Sequence, residues 1–132
     1  MSREFMSRGI ETLVISPEGG DLISETPARV LRFGGRIAIP ANGSKAPITL
    51  SPKAAVRARQ AIDDFKAEVV HFHEPFAPLV GYGELFTSTT RIHVGTFHRS
   101  GGGPAYRLTT PLLQRVLRHL DSRVAVSERA AE

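Results

Sequence analysis

Cysteine is absent from the 132 residues, so disulfides and thiolate metal sites are excluded. Disulfides are rare in cytosolic proteins, and a chain without cysteine fits that compartment. Tryptophan is absent too, and the 2 tyrosines and 7 phenylalanines are not interleaved with basic residues. This spacing argues against a stacking surface for single strands, and no nucleic acid partner is expected. No apolar run reaches the roughly 18 residues of a membrane span, and the N-terminus lacks the apolar core of a signal peptide. The expected location is therefore the cytoplasm.

The charge balance is modestly basic. Lysine and arginine number 17 against 13 acidic residues, a net charge of +4. Such an excess favours anionic partners, including phosphates and acidic lipid head groups, although a need for solubility explains it equally well. The length is that of one ordinary domain.

The pattern of the chain is organised around residues 69–100. Two short apolar runs, Val69–Phe72 and Ile92–Thr96, flank a helical stretch at Leu79–Phe86. A strand, a crossover helix and a second strand are typical of a parallel βαβ unit. Each run ends in a histidine-bearing turn. Because ligands collect outside the carboxyl ends of parallel strands, the site is expected at these turns.

The remaining elements extend this pattern. Further strands are predicted over Ile10–Ser16, Arg36–Ile39 and Arg123–Val126. Helices are predicted to begin at Ser51–Pro52 and Thr110–Pro111, and Gly9 to end a helix as a left-handed cap. The segments Asp21–Gly35 and Pro40–Pro47 are predicted to be connections. Strands that alternate with helices predict an α/β fold, a parallel sheet with helices on both faces.

A His-x-His pair with an adjacent carboxylate raises the question of a metal site. His71 and His73 should point to one face of their strand, and Glu74 follows directly. Zinc needs three or four ligands, and no further cluster completes the set, so no metal is predicted. His71 is expected to be a partly buried histidine with a backbone partner, and His93 to be structural.

His98 is the strongest candidate for chemistry. It follows its strand directly and lies beside Arg99 and a triple glycine. A histidine there can donate to a ligand hydroxyl or phosphate, or act as a base near neutral pH. A turn histidine held by backbone groups fits the residues equally well.

Glycine-containing loops provide weaker signals. Asn42, Gly43, Ser44 and Lys45 form either a tight turn or a site for an anion or hydroxyl. Gly101–Gly103 and Gly19–Gly20 lack the strand and helix context of a dinucleotide fingerprint, so no such cofactor is predicted.

Four sequence blocks, read together, point to a known family. They are IPANGS at 39–44, VVHFHEPFAP at 69–78, GTFH at 95–98 and RVAVS at 123–127. In order and spacing the chain resembles the N-terminal, acceptor-side domain of GT-B glycosyltransferases of family 4, and is similar to the phosphatidylinositol mannosyltransferase group.

The resemblance implies a Rossmann-like half of a two-domain retaining enzyme, which moves a mannose-like hexose from a nucleotide sugar to a hydroxyl of a lipid or other acceptor. It implies that His98 is the catalytic histidine near the transferred sugar, and that Asn42, Gly43, Ser44, Glu74 and Arg99 bind substrate. No cofactor or metal is expected. An anionic phospholipid acceptor and peripheral contact with the cytosolic face of a membrane are implied.

The resemblance also concerns the extent of the chain. Residues 9–132 are expected to be a partial domain without the family's first strand and helix, residues 1–8 an unassigned tail, and the donor domain missing. The strands at Thr12–Ser16 and Val69–Phe72 would then flank a vacancy, so the chain alone is expected to be aggregated, oligomeric or loosely packed, and inactive. The alternative is a non-catalytic Rossmann-like remnant or subunit that binds a phosphorylated ligand.

Overall fold

The computed structural model of the chain describes residues 2–16, 28–34, 37–41, 44–48, 51–75, 81–98, 111–112 and 114–128, with the backbone alone for 37–41 and 44–48. In chain order the elements are α1 (Ser2–Ser7), β1 (Leu13–Ser16), β2 (Arg29–Arg32), β3 (Ile37–Ala41), β4 (Ser44–Ile48), α2 (Pro52–Asp64), β5 (Val69–His73), α3 (Tyr82–Thr87), β6 (Ile92–Phe97) and β7 (Ser122–Ala125). A further helical segment over 111–112 and 114–118 precedes β7.

Parallel pairing dominates the described strands and confirms the α/β class. β5, β6 and β7 form a parallel three-stranded sheet in that order, with β6 in the middle. β5 and β6 are joined through α3, so the predicted βαβ unit is confirmed. A second parallel pair consists of β1 and β2.

The strand β2 corrects the prediction that Asp21–Gly35 is a polar connection without a strand. Its sequence, RVLR, has an arginine at each end, so the strand does not stand out as an apolar run. Leu31 nevertheless packs against the cluster formed by Phe33, Ala54 and Ala58. Tertiary burial, rather than local propensity, therefore specifies this strand.

The structure also corrects the prediction for the segment that contains Pro40 and Pro47. The sequence predicted a strand over Arg36–Ile39 in the parallel sheet and a loop over Pro40–Pro47. Instead, β3 pairs antiparallel with β4, and Ala41 lies opposite Ser44. A proline is tolerated where its missing N–H faces away from the ladder, and a two-stranded ribbon has two such edges.

The helix α2 begins where its sequence predicts. Ser51 is the N-cap, and its side chain accepts from the Ala54 N–H at 3.4 Å. The buried stripe of the helix consists of Ala54, Ala58 and Ile62. Gly9 adopts a φ of +76° after α1, which confirms its predicted left-handed conformation.

Two separate cores stabilise the described residues. One joins α2 to β1 and β2 through Phe33, Ala54 and Ala58. The other joins α3 and the segment before β7 to their sheet and centres on Leu85, Val116 and Leu120. Gly95 in β6 makes room for the second core, since an added Cβ would lie 2.7 Å from Leu120 Cδ1. Among the described strands, β1 and β5 belong to separate sheets, and the expected vacancy between them stays a prediction.

A buried ionic network lies between these two parts. The Glu84 carboxylate on α3 is fully buried and accepts from Arg91 Nη1 at 3.0 and 3.2 Å. Arg91 also donates to the Ala67 carbonyl at 3.0 Å and forms an ion pair with Asp63 at the end of α2. The network therefore ties α2 and α3 to the start of β6.

Among the described residues, no helix combines the length and the apolar character needed to cross a bilayer.

Candidate active site

The candidate site lies where β5 and β6 end. Both strands run in the same direction, and His73 lies opposite Thr96 in the register of the ladder. Their carboxyl ends therefore meet at one edge of the sheet, and His98 directly follows β6. The edge predicted from the two histidine turns is the one on which the histidines converge.

His73 and His98 are in direct contact. His73 Nδ1 and His98 Nε2 are 3.2 Å apart, and the ring centroids are 5.5 Å apart with planes inclined by 29°. Because an imidazole nitrogen either donates or accepts, one of the two nitrogens carries the proton of this bond. Both side chains are exposed, so the pair is accessible from solvent.

His71 supports this pair from within the sheet. Its ring stacks on His73 with centroids 4.5 Å apart, which confirms that the two side chains share a face. Its Nε2 is 2.6 Å from Thr96 Oγ1. The sequence predicted a backbone partner for His71, and this was wrong, because the partner is a hydroxyl on the neighbouring strand.

Glu74 closes the end of the site. It adopts a φ of +54°, unusual for a residue with a side chain, and its N–H donates to the Thr96 carbonyl at 2.9 Å. Its carboxylate accepts a short hydrogen bond from the His98 backbone N–H. Glu74 therefore holds the turn after β6 against the end of β5.

His93 belongs to the interior. It is buried, its N–H donates to Asp121 Oδ2 at 2.7 Å, and its ring contacts the His119 carbonyl at 3.2 Å and Glu84 Oε1 at 3.4 Å. The prediction that His93 is structural is confirmed.

The surroundings of the site make two of its imidazoles hard to charge. Burial lowers the pKa of His71 below its ordinary value of 6.5, and His98 lowers it further. Burial also lowers the pKa of His73, with additional contributions from His71 and His98. Desolvation and the closeness of like charges both disfavour the protonated forms.

We expect these lowered pKa values to make the fold sensitive to mild acid. The unfolded chain takes up protons on His71 and His73 near pH 6.5, whereas the folded chain resists them. Stability is therefore fully present above about pH 6.5 and falls as the pH drops through the folded pKa values. Urea unfolding between about pH 7.5 and 5.5 measures this slope. A double variant, His71→Asn with His73→Asn, should flatten it, and an unchanged slope in that variant would contradict the assignment.

Metal coordination was considered because of the His-x-His pair. In the described ranges, no group of three or more histidine, cysteine, aspartate or glutamate side chains is arranged to hold a metal ion. His71 and His73 instead use ring nitrogens to contact Thr96 and His98.

The absence of zinc stays a prediction. We expect less than stoichiometric metal in the purified protein, because His71, His73 and His98 each have one ring nitrogen occupied and no further ligand among the described residues converges on them. Elemental analysis provides the measurement. One equivalent of zinc that disappears with His73→Ala would show that the cluster rearranges around a metal.

The other predicted site residues divide into two groups. Glu74 and His98 are brought together, and Ser44 begins β4, where the backbone alone is described. Asn42, Gly43 and Arg99 lie outside the described residues. Their substrate-binding roles stay predictions, as does that of Glu74.

Sequence reasoning missed Thr96 and the role of His73 beside His98. A partial signal was available, because aligning the ends of the two predicted strands places the two histidine turns side by side. The contacts themselves are diagonal, since His73 lies opposite Thr96 in the ladder while its ring meets that of His98, and the ring of His71 meets Thr96.

A cavity of about 200 Å³ elsewhere in the fold shares no residue with this cluster. It lies between the first parallel pair and α2, and Arg57 stacks at 5.0 Å over Phe33 in its wall. This cavity, whose lining includes Arg29, Arg57 and Asp64, is therefore separate from the histidines at the strand ends.

The arrangement at the strand ends suits recognition of a hydroxyl-rich or anionic ligand. Two exposed imidazoles linked by one hydrogen bond can donate to a hydroxyl or phosphate, accept from a hydroxyl, or share a proton. The carboxyl edge of a parallel sheet is the usual position for such ligands in α/β folds.

Comparison with known proteins identifies the family to which the chain belongs. The sequence profile described as Glycosyltransferase Family 4 matches residues 1–132. The phosphatidyl-myo-inositol mannosyltransferase of Mycobacterium leprae (strain TN) is 35% identical over 128 residues, which cover 94% of this chain and 33% of that protein. The protein of the same description from Propionibacterium freudenreichii subsp. shermanii is 30% identical over 131 residues, 95% of this chain and 34% of its own length.

A third relative has the same description and comes from Mycolicibacterium smegmatis. It is 31% identical over 126 residues, 92% of this chain and 31% of that protein. The chain thus spans about a third of the length of the curated relatives it matches. No solved structure matches it. With a profile match along its whole length, an α/β fold and a polar cluster at the ends of parallel strands, the chain belongs to glycosyltransferase family 4.

Proposed function

We propose that this chain is the acceptor-side half of a retaining GT-B glycosyltransferase that moves a mannose-like hexose from a nucleotide sugar to a hydroxyl. The observation that carries the proposal is the linked pair His73 and His98 at the carboxyl edge of the βαβ unit. The family match and the relatives' description as mannosyltransferases support the reaction class.

In the proposed reaction the bond between the anomeric carbon and the nucleotide's phosphate oxygen breaks. A bond from that carbon to the acceptor oxygen forms on the same face of the sugar, the acceptor hydroxyl passes its proton to the departing phosphate oxygen, and the nucleotide leaves with the electron pair of the broken bond. His98 would lie beside the transferred sugar and form a hydrogen bond to one of its hydroxyls. Preorganised groups of this kind stabilise a transition state because they need not reorient as charge develops.

The proposed acceptor is an anionic phospholipid at the cytosolic face of a membrane, contacted peripherally. The net charge of +4 favours such a surface. Asn42, Gly43, Ser44 and Arg99 are the residues proposed to meet its polar head, together with Glu74.

A reconstituted two-domain protein tests this function. Because the chain spans about a third of its relatives, we propose that a second, donor-binding half completes the enzyme and that residues 1–132 alone are inactive. The experiment joins this chain to the donor half of a relative and measures transfer of labelled mannose from its nucleotide sugar to phosphatidylinositol vesicles.

The joined protein should transfer sugar, whereas the 132-residue chain and the donor half measured separately should not. Transfer by the 132-residue chain alone would contradict its assignment as half of a site. Binding of a phosphorylated ligand by the 132-residue chain, with no transfer by the joined protein, would instead support the non-catalytic alternative.

A further inference from the structure

We propose that His73 is a positioning residue for His98, and that the bond between their rings leaves His98 Nδ1 as the nitrogen that meets the ligand. This inference rests on the proposed function, in which His98 acts beside the transferred sugar. It assigns a task to the histidine that sequence reasoning had considered only as a metal ligand.

The bond couples the tautomer of one ring to that of the other. His73 Nδ1 and His98 Nε2 are 3.2 Å apart, so one nitrogen donates and the other accepts. If His73 Nδ1 donates, His98 must carry its own proton on Nδ1. If His98 Nε2 donates, His73 must carry its proton on Nε2. In either case His98 Nε2 is occupied by His73, and Nδ1 is the ring nitrogen left for a ligand.

Each member of the pair is held by a separate contact. The His73 ring stacks on His71, which is anchored by its 2.6 Å bond to Thr96 Oγ1. The backbone of His98 is held by the Glu74 carboxylate. Because both members are fixed from the sheet, their ring-to-ring bond can set the orientation of an exposed imidazole that would otherwise choose among rotamers.

The electrostatics of the cluster favour one shared proton over two. A doubly protonated pair would place two N–H groups against each other across the same gap, and its bond would be lost. Burial lowers the pKa of His73, and the adjacent His71 and His98 lower it further. His73 therefore stays neutral near pH 7 and is able to accept or donate in a defined tautomer.

Nitrogen chemical shifts of the imidazole rings provide the test, since they distinguish a protonated from an unprotonated nitrogen. The chain has only 5 histidines, so labelling them with ¹⁵N gives a simple long-range correlation spectrum at pH 7.5. We expect His98 to show one dominant tautomer in the 132-residue chain. His73→Leu should convert it to a mixture, while His73→Asn, whose amide lies near the former Nδ1, should retain it.

The matched control is His119→Leu, which makes the same substitution at a histidine whose ring bonds to the Arg115 carbonyl and lies outside the cluster. It leaves both the bond between His73 and His98 and the contacts that hold the two residues, so the His98 tautomer should persist. Should His73→Leu fail to fold by circular dichroism, His73→Gln provides a polar substitute whose amide lies further from the backbone. A His98 tautomer unchanged in the folded disrupting variant, or disturbed equally by His119→Leu, overturns the proposal.

Transfer kinetics add a second readout in the joined two-domain protein. His73→Leu should lower kcat/KM about tenfold to a hundredfold, the range found for partners that orient metal-bound histidines, and His73→Asn should recover most of it. If the joined protein transfers nothing, the proposed function fails. The nitrogen spectrum still decides whether His73 sets the tautomer of His98.

Discussion

Replacing His98 with alanine in the joined two-domain protein should lower hexose transfer at least about a hundredfold, the scale for loss of a positioned polar catalytic group. His98 directly follows the central strand β6, and both its ring and its backbone are held, by His73 and Glu74. Alanine removes the imidazole without removing the backbone N–H that Glu74 binds. The turn should therefore persist while the ring that faces the sugar is lost.

Initial rates of labelled sugar transfer, measured as kcat and KM separately, provide the measurement. A fall in kcat with little change in KM would indicate a contact made chiefly in the transition state. The matched control is His119→Gln, because His119 lies outside the cluster and its ring bonds to the Arg115 carbonyl. Its transfer should equal that of the parent. Unchanged turnover in His98→Ala would remove this histidine from the proposed mechanism.

Replacing Arg91 with methionine should destabilise the domain by about 3–5 kcal/mol, the usual cost of removing one partner from a buried ion pair. The Arg91 side chain is 14% exposed and its partner Glu84 is 0% exposed. Methionine fills much of the space but leaves the Glu84 carboxylate buried, with His93 at 3.4 Å as its remaining described partner. The ties from Arg91 to Asp63 and Ala67 are lost as well.

Urea unfolding monitored by circular dichroism measures this loss, and the chain offers a matched exposed pair. Arg8 and Glu4 form an ion pair at 2.8 Å with side chains 70% and 63% exposed. Arg8→Met should therefore cost less than about 1 kcal/mol. Combining Arg91→Met with Glu84→Leu should restore much of the loss, because the orphaned charge disappears with its partner. A cost for Arg91→Met as small as that for Arg8→Met would show that Glu84 finds another partner or becomes protonated.

The central βαβ unit could be predicted from sequence because its signals are local. Val69–Phe72 and Ile92–Thr96 are apolar runs that end in polar turns, and the structure extends each by a single residue. The position of the site followed from the parallel arrangement alone. The contact of His73 with His98 could not be read in the same way, because His73 lies opposite Thr96 in the ladder and its ring reaches His98 diagonally.

The errors have a common physical cause. β2 is four residues long with arginines at both ends, so its existence depends on pairing with β1 and on the burial of Leu31 beneath α2. The β3–β4 ribbon contains prolines, which a reading by composition assigns to loops. Its better signal is the Asn-Gly pair at 42–43 between two extended stretches, a strong indicator of a hairpin.

The central place of β6 has a consequence for how the domain opens. In the described sheet, β6 alone is hydrogen-bonded to a strand on each side, and it crosses the core around Leu85 and Leu120. Its amide hydrogens should exchange with solvent only in the rarest, most extensive openings, whereas those of the separately cored β1 and β2 are free to exchange through smaller ones. His98 is one residue beyond β6, and Thr96 is within it. The histidine cluster at the end of β6 is therefore attached to the part of the fold that opens last. Local opening of β1 and β2 should leave the geometry of the cluster unchanged.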